Sequence, residues 1–585
     1  MGGVDDTLTL LAGHATFLLL VLPVIGAILV LVSALWGADV ARRTALTNVL
    51  FSVAVVVAML ARFEPNPTND DGTPRRFQMA SEAAFEFGVR GPDADSATSP
   101  ATGLLRGVVG VDGLSLWFVA LIPLVTLAAV HFSPNENNAA GLLSLILLLE
   151  AALVGVFAGL NVIFFAVCLE VSSLLFQLIV GFRGAPEHRR GIASLAAWQI
   201  AGGLPVFLGL TMLVSAHLWV TGAATGDTPT LTFSLPVLVA ELRASIGSLP
   251  PSVSHYWSLA ETLLFWSLML GFATTAALFP FHGRFCKATP PWPMSAAVTA
   301  YGAFPAVGVY GVLRLVVPIC ESSVAASGGL LIGLLLAGAV YCGLLAVGQS
   351  NLKRTVAYAA AAHTGLTMAA ALSTTAAGFS GAVLQLVCRL AAFGLLAAIL
   401  PVLAARYGTL EIRAHGGLAK RFPGIAGVYF LAVLGLSGLP GLCGFPALWL
   451  TIGGFAAAVE GVAAPLAALA VHGLLAWALL SAGQRIFWGP VRETVRDVGT
   501  AVPFQTGDGV APQFAATDWR EADLLAIAPL VVVLVGLGLA PQFVADRLQP
   551  VLPHTTAKRD DATAMQRGAG RLWAAGSRQR EEVRP

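Results

Sequence analysis

Two glutamates stand inside long apolar runs of this sequence, where a charge is costly. Glu150 ends the run LLSLILLLE, and Glu170 ends the run NVIFFAVCLE. A charged side chain in the middle of a bilayer costs about 2.5–3.5 kcal/mol on insertion scales, so each carboxyl group needs an explanation. Each can serve as a proton-relay group, or as a structural group bonded to a neighbouring helix. Both interpretations stay open for Glu170, and the structural one is slightly favoured for Glu150.

Histidine and basic side chains also lie in or beside apolar runs. His282 and His363 are of a type that titrates near neutral pH, so each could pass protons or simply join two helices. Arg389, in LQLVCRLAAFGLL, keeps its proton and cannot relay protons by titration, although it can neutralise a carboxylate or repel a cation. Lys353 opens an apolar run and Arg314 closes one. We therefore expect Lys353 to anchor the chain at the cytoplasmic surface and Arg314 to extend its charge to the interface.

The stretch 259–314 carries a proline at membrane depth. Pro280 removes a backbone donor and clashes with the preceding turn, so the helix must break or bend there. Irregular backbone at that depth survives only where protein buries it or water lines it. With His282 beside the break, the stretch is typical of an ion path. A second break is predicted near Pro440, where SGLPGLCGFPALW makes a continuous helix unfavourable.

The elements that hold these side chains must lie in a membrane. The chain has 585 residues, of which 57% are hydrophobic and only 11% are charged, whereas soluble domains carry about 25% charged residues. The apolar runs lack the alternation of barrel strands, which predicts an all-α integral membrane protein. A net charge of +1 indicates no nucleic-acid partner. The six cysteines form no CxxC pair and are interpreted as packing residues, not as a metal site or a disulfide framework.

The apolar runs predict fourteen membrane spans, with three polar segments between them. The polar segments are 62–111, 216–258 and 485–521, and a charged tail begins near residue 546. Lysine and arginine are concentrated in the segments after odd-numbered spans, which places those segments in the cytoplasm and both termini outside. The predicted spans are about 13–36, 44–61, 112–132, 139–159, 161–181, 192–215, 259–281, 292–318, 327–349, 355–374, 378–405, 424–452, 462–484 and 522–545.

Spans seven and twelve are the two interrupted ones, which indicates two inverted five-helix repeats. Spans four to eight would form one repeat and spans nine to thirteen the other. The domain prediction has four segments. They are the N-terminal helices and polar loop (1–111), a first half (112–318), a second half (319–488), and a connector with the last helix and tail (489–585).

Several motifs, in order along residues 10–550, resemble the antiporter-like subunits of respiratory complex I, the subunit M (chain 4) branch most of all. That family belongs with the Mrp antiporters in one superfamily. The resemblance implies fourteen helices, two inverted repeats with broken helices seven and twelve, and a proton path. The motifs are GVDGLSLWF at 110–118, LLLEAALVGVF and FFAVCLE within 148–170, FPFHGRF at 279–285, YGVLRL at 310–315, QSNLKRTVAYAAAAHTGL at 349–366, GGLAKRFP at 416–423, GLPGLCGF at 438–445 and QRIFWGP at 484–490.

The resemblance also shows where this chain departs from the family. Glu170 matches the family's glutamate on helix five, and His363 and Lys353 match as well. The lysine expected on helix seven falls on Thr275, which carries no charge with which to hold Glu170 ionised. The central lysine of helix eight falls on Ala306.

The second half departs in the same way. The histidine expected on helix eleven falls on Arg389, and the acidic residue expected on helix twelve falls on Leu448. Lys287 could replace a lost lysine only if its side chain reaches inward from a cytoplasmic turn. These departures predict a proton path that is impaired, blocked or rerouted. The candidate path residues are Glu170, Glu150, His282, His363, Lys353, Arg389, Thr275 and Lys287.

The resemblance implies a membrane-arm subunit of a complex I-like, proton-translocating quinone oxidoreductase in the bacterial inner membrane. NADH, quinone and iron–sulfur clusters would then be bound by partner subunits, and none by this chain. The sequence leaves open whether the chain takes part in an enzyme; if it does, it is a non-redox subunit. The alternative is a membrane subunit of an ion-coupled complex that takes up inorganic carbon or cations. A scaffold that transports nothing is a third possibility.

Overall fold

The computed structural model describes residues 13–65, 67, 77–81, 109–133, 139–181, 189–225, 231–287, 294–407, 409–459, 461–490 and 518–548. Over these residues the chain is almost wholly helical. Eleven of the described helices are long and apolar enough to cross a membrane, and three shorter apolar helices accompany them. The all-α membrane fold predicted from the sequence is therefore confirmed. The count of fourteen spans and the inverted repeats stay predictions.

The described residues of the first half form ten main α-helices and a two-stranded antiparallel sheet. A turn of 3-10 helix, Ala34–Trp36, extends α1, and β1 pairs with β2 in the antiparallel sense. The elements are α1 (Ala15–Ser33), α2 (Ala38–Arg62), β1 (Gln78–Ser81), β2 (Val109–Val111), α3 (Ser115–His131), α4 (Ala139–Ala158), α5 (Val162–Gly181), α6 (Arg189–Thr225), α7 (Leu235–Ile246), α8 (Pro251–Thr275), α9 (His282–Lys287) and α10 (Met294–Gly311). A π-helical segment, Val312–Val316, and the short helix Val317–Ile319 continue α10.

The described residues of the second half form eight further α-helices. Two short 3-10 turns, Ile412–Ala414 and Leu418–Lys420, precede α14, and a π-helical segment, Gln484–Trp488, continues α16. The helices are α11 (Glu321–Val347), α12 (Leu352–Ala371), α13 (Ala376–Tyr407), α14 (Pro423–Leu436), α15 (Gly444–Ala458), α16 (Ala463–Gly483), α17 (Glu521–Leu539) and α18 (Gln542–Leu548).

Both predicted helix breaks are present. Between α8 and α9 the backbone turns at Ala277, whose φ of 52° lies in the left-handed region, and the Leu278 amide still donates to the Ala273 carbonyl at 3.0 Å. Between α14 and α15 the turn passes through Gly438 and Gly441, with φ of 76° and 89°. Glycine adopts these angles without the steric cost that a Cβ atom brings. The prolines and glycines of these stretches thus predicted the breaks correctly.

The prediction of a polar segment over 216–258 is wrong for most of its length. Helix α6 runs on to Thr225, α7 occupies Leu235–Ile246, and α8 begins at Pro251. Helix α7 buries Leu235, Leu238, Val239 and Leu242, a spacing that places one apolar face against the protein. Pro236 is accepted in its first turn because the amide of that position has no helical partner.

Helix α13 lies at the centre of the described chain. It packs against α3, α10, α12, α14, α15 and α17, and every residue of its 18-residue apolar segment is buried. Helices α1, α6 and α17 lie at the periphery, where only about a third of the corresponding apolar segment is buried. Because α10 and α12 both pack on α13, the two predicted halves share one continuous core.

Arg314 does not extend to the membrane surface as expected. It lies in the π-helical segment and forms a buried ion pair with Asp112, at the junction between β2 and α3. Asp112 Oδ1 also accepts hydrogen bonds from the Leu114 and Ser115 amides, at 3.2 and 3.0 Å. The Phe77 ring covers the guanidinium, with 5.0 Å between the ring centroid and Cζ. The ion pair therefore ties the start of α3 to the end of α10.

We predict that Asp112→Asn lowers the free energy of unfolding by about 3–5 kcal/mol, because it leaves a buried guanidinium without its counter-charge. The matched control is Glu321→Gln, which breaks the Arg243–Glu321 pair; that pair is 34% and 53% exposed, and its loss should cost at most about 1 kcal/mol. Unfolding of the full chain in detergent, titrated with dodecyl sulfate, measures both values. Equal costs for the two variants would contradict a structural role for the buried pair.

Candidate proton-path residues

Glu170 lies on α5 and faces outward in the single chain. Its neighbours on that face, Val167, Val171 and Leu174, are exposed apolar residues. The described part of the chain offers its carboxylate neither a cation nor a hydrogen-bond donor. The expected pairing of this glutamate with a basic residue on the broken helix is therefore missing from the described residues.

Two adjacent glycines of α6 lie between Glu170 and the end of α8. A Cβ atom built on Gly203 would lie 2.9 Å from Cδ of Glu170, and one built on Gly202 would lie 2.9 Å from Cβ of Thr274. The glycines thus allow α5 and α8 to approach α6 closely from two directions. Thr275 is the last residue of α8, and its hydroxyl donates to the Gly271 carbonyl at 3.0 Å. Thr275 is a neutral group whose one proton is used within its own helix.

His282 is buried in an aromatic cage directly after the helix break. Its ring stacks on Phe279, with centroids 5.6 Å apart. The rings of Tyr341 on α11 and Tyr358 on α12 meet it edge-on at 5.8 and 6.3 Å. Lys287 ends the same short helix, but its side chain lies outside the described part of the structure. Its replacement of a lost lysine therefore stays a prediction.

Lys353 is not the exposed surface anchor that its position suggested. Its side chain is 6% exposed, whereas the neighbouring Arg354 is exposed. At the start of α12, Asn351 Oδ1 accepts from the Lys353 amide at 3.1 Å and fixes the first turn. That turn lies against the 409–412 segment, where the Leu352 amide donates to the Leu410 carbonyl at 2.9 Å.

Glu150 is buried among three helices. Its carboxyl group lies near the hydroxyls of Ser52 on α2 and Thr126 on α3, although within the described residues neither carboxyl oxygen meets the geometry of a hydrogen bond. The surroundings are hydroxyls rather than a cation. This arrangement is compatible with both interpretations made from the sequence.

His363 and Arg389 belong to one buried polar cluster in the second half. We call His363, Gln385, Arg389 and His472 the polar cluster; each is at most 3% exposed. Gln385, Arg389 and His472 all lie close to the His363 ring, and the two imidazole centroids are 6.2 Å apart. Arg389 Nη1 donates to the Ala360 carbonyl at 2.7 Å, and the guanidinium lies 5.2 Å from the Phe393 ring centroid. The cluster joins α12, α13 and α16.

Gln385 and His472 were not among the residues selected from the sequence. The signals were present: Gln385 precedes Arg389 by four residues and so shares its helix face, and His472 interrupts the apolar run ALAVHGLLAW. A polar residue inside a span is a functional candidate by default, and applying that rule to uncharged side chains would have found both.

The two remaining family positions carry apolar side chains. Ala306 is fully buried in α10, one residue after Pro305, and the neighbouring Phe304 stacks on Phe176 with centroids 5.0 Å apart. Leu448, on α15, packs toward the turn at Gly438. At these two positions, where the resemblance places a titratable group, the chain therefore holds hydrocarbon.

Comparisons with known proteins agree with this architecture. The sequence model of a family described as "NADH:quinone oxidoreductase/Mrp antiporter, TM" matches residues 159–473, which is more than half of the chain. Subunit M of NADH-quinone oxidoreductase from Rhodobacter capsulatus is 27% identical over 88% of this chain and 90% of its own. Subunit 13 of the Thermus thermophilus enzyme is 29% identical over 76% of this chain and 84% of its own.

Two solved structures are similar in fold. A chain of respiratory complex I from Thermus thermophilus has a TM-score of 0.72 at 24% identity, covering 92% of this chain and 98% of that one. A chain of the Mrp complex from Dietzia has a TM-score of 0.67 at 19% identity, covering 93% and 98%. Because the family model matches more than half of the chain, the chain belongs to the NADH:quinone oxidoreductase/Mrp antiporter transmembrane family.

Proposed function

We propose that the chain is a membrane-arm subunit of a complex I-like, proton-translocating quinone oxidoreductase, with a proton path that is interrupted within this subunit. The observation that carries the interrupted path is the set of side chains at three positions where the resemblance places a titratable group. Ala306 and Leu448 are hydrocarbon, and Thr275 is neutral. The first part is supported by family membership and by relatives named as subunits of NADH-quinone oxidoreductase.

A proton relay needs titratable groups within hydrogen-bond reach of one another or of shared water. Glu170 faces outward on α5, and between it and the buried centre stand the glycines of α6 and the end of α8. The next family position inward, Ala306, offers no proton acceptor. A proton that reached Glu170 would therefore have no titratable side chain to receive it at that position.

Arg389 adds an electrostatic barrier. A guanidinium keeps its charge at physiological pH, and like charges at close range repel strongly where water is excluded. Helices α12, α13 and α16 contain no Asp or Glu. A hydronium ion or a protonated histidine close to Arg389 is thus disfavoured, which supports an interrupted path in the second half as well.

The redox chemistry belongs to partner subunits in this proposal. Across the described residues, no group of three or more His, Cys, Asp or Glu side chains could hold a metal ion. NADH, iron–sulfur clusters and quinone would be bound elsewhere in the complex. The chain would lie in the bacterial inner membrane with both termini outside, as the distribution of lysine and arginine indicates.

An ion-coupled transport complex is the second candidate. The fold likeness to an Mrp complex chain is nearly as high as the likeness to a complex I chain. A chain of this family in such a complex would have no quinone-reducing partner. The two candidates therefore differ in the proteins that accompany the chain.

We predict that the tagged full chain, extracted in mild detergent, co-purifies with iron–sulfur and quinone-site subunits. Mass spectrometry of the purified complex, with donor-driven quinone reduction as the activity assay, measures this. An unrelated tagged membrane protein from the same cells controls for non-specific capture. Recovery of only antiporter-like chains, or of one large soluble protein without quinone reductase activity, would contradict the oxidoreductase assignment and favour ion-coupled transport.

We also predict that Glu170→Gln changes proton translocation by less than twofold, because its usual route inward is interrupted. The measurement is the number of protons moved per electron pair by the purified complex in liposomes. Glu321→Gln, which alters an exposed carboxylate, is the matched control. Loss of proton movement in Glu170→Gln, with electron transfer retained, would show that the path through this subunit still conducts.

A further inference from the structure

The polar cluster contains polar atoms whose hydrogen-bonding capacity is unused. The Gln385 side chain lies near the His363 ring, but among the described residues no partner meets hydrogen-bond geometry for either amide atom of Gln385, for Nε2 of His363 or for Nε2 of His472. These three side chains come from three different helices and are 0%, 0% and 3% exposed. Buried polar atoms without partners are costly and rare in folded proteins. Several of them around one place indicate a polar occupant between the helices.

The charge of the surroundings selects the kind of occupant. Arg389 lies beside the same ring and brings a permanent positive charge; it is itself held by the Ala360 carbonyl and the Phe393 ring. Helices α12, α13 and α16 carry no acidic residue. On α12 the charged residues next to the cluster are Lys353 and Arg354, which lie about 15 Å from His363 along the helix axis. A cation is therefore excluded on electrostatic grounds, and an anion is favoured.

The hydrogen bonds of the two imidazoles add a proton requirement. His472 Nδ1 lies 3.1 Å from the Ala468 carbonyl, which can only accept, so Nδ1 carries the proton and a neutral ring leaves Nε2 bare. The Thr367 hydroxyl donates to the His363 carbonyl at 2.7 Å and lies 3.4 Å from His363 Nδ1. The single hydroxyl proton of Thr367 is thus used, so in the contact between Thr367 and the ring, Nδ1 of His363 donates to the hydroxyl oxygen. In both histidines, therefore, Nδ1 carries the proton. Both Nε2 atoms therefore accept hydrogen bonds until one of them gains a proton.

We propose that the polar cluster binds one small monovalent inorganic anion, of the size of chloride, together with a proton on one of its two histidines. Arg389 supplies the attracting charge, and the Gln385 Nε2 amide group supplies a donor. The bound anion offsets the charge of Arg389, which otherwise disfavours a protonated histidine nearby, and the added proton converts one bare imidazole Nε2 into a second donor. This binding site is separate from Glu170 and from the broken helix α8–α9, and it does not depend on which complex contains the chain.

The first test is chloride binding to the purified full chain in detergent, with radioactive chloride in a proximity assay. We expect one saturable site per chain that bromide displaces and gluconate does not. The titratable and charged groups that face the site are Arg389, His363 and His472. Because one proton accompanies the anion, the dissociation constant should rise by about tenfold per pH unit once the histidines are neutral.

Variants of the cluster locate the site. Gln385→Leu and Arg389→Gln should each weaken chloride binding by about tenfold or more, the loss expected for one hydrogen bond or charge removed from an anion. Gln349→Leu is the matched control, since Gln349 lies just after α11 and donates to the Leu345 carbonyl at 3.0 Å, and it should bind as the natural chain does. Melting of each variant, followed by circular dichroism, reports whether it is folded.

Two outcomes would overturn the proposal. Absence of saturable chloride binding by the folded natural chain would mean that only water satisfies the cluster. Unchanged chloride binding in folded Gln385→Leu would place any bound anion outside the polar cluster. Because that variant retains Arg389, it tests the location of the site even if Arg389→Gln fails to fold. Neither outcome bears on co-purification with quinone-site subunits, which tests the proposed function alone.

Discussion

The structure depends on one constraint: at membrane depth, water is not available to solvate a charge or to satisfy a backbone amide. Each buried charge must then be met by the protein. Asp112 and Arg314 meet each other, and Asp112 also accepts from the amides that start α3. Arg389 is met by a carbonyl and an aromatic ring. Where the protein supplies less, as at Gln385, the unused hydrogen-bonding capacity becomes a sign of function.

The same constraint explains how two helices can be broken inside the bundle. At the α14–α15 turn the Cys443 amide donates to the Leu534 carbonyl of α17 at 2.9 Å. A neighbouring helix thus accepts from a backbone amide that the break leaves without a partner in its own helix. Gly538 of α17 lets the two backbones approach closely, since an added Cβ atom would meet Leu442. The α8–α9 turn is closed by its own Leu278 amide and by the aromatic cage around His282. Contacts from other helices therefore support each break: the Leu534 carbonyl at one, and the rings of Tyr341 and Tyr358 around His282 at the other.

Local chemistry predicted much of this from the sequence. Pro280 and the glycines around Pro440 predicted both breaks, since their effects on the backbone act within a few residues. Burial was harder to predict. Lys353 opens a span, a position typical of a surface anchor, but it is buried, and the segment bonded to the preceding Leu352 comes from more than fifty residues later in the chain. Helix α7 was missed because a twelve-residue amphipathic helix is short beside the membrane spans. The polar cluster combines residues from three helices, and spacing within one helix cannot show that they meet.

The glycine pair of α6 affects the surface that α5 presents to its surroundings. A Cβ atom on Gly203 would collide with the Glu170 carboxyl group, so this glycine makes room for that group at the outer face of α5, beside exposed Val167, Val171 and Leu174. A carboxyl group on an otherwise apolar surface is poorly solvated by lipid. A subunit that covers this face and offers a donor would remove that penalty. Burial of this face is therefore favoured over exposure to lipid only where the covering surface offers the Glu170 carboxyl group a hydrogen-bond donor or a cation.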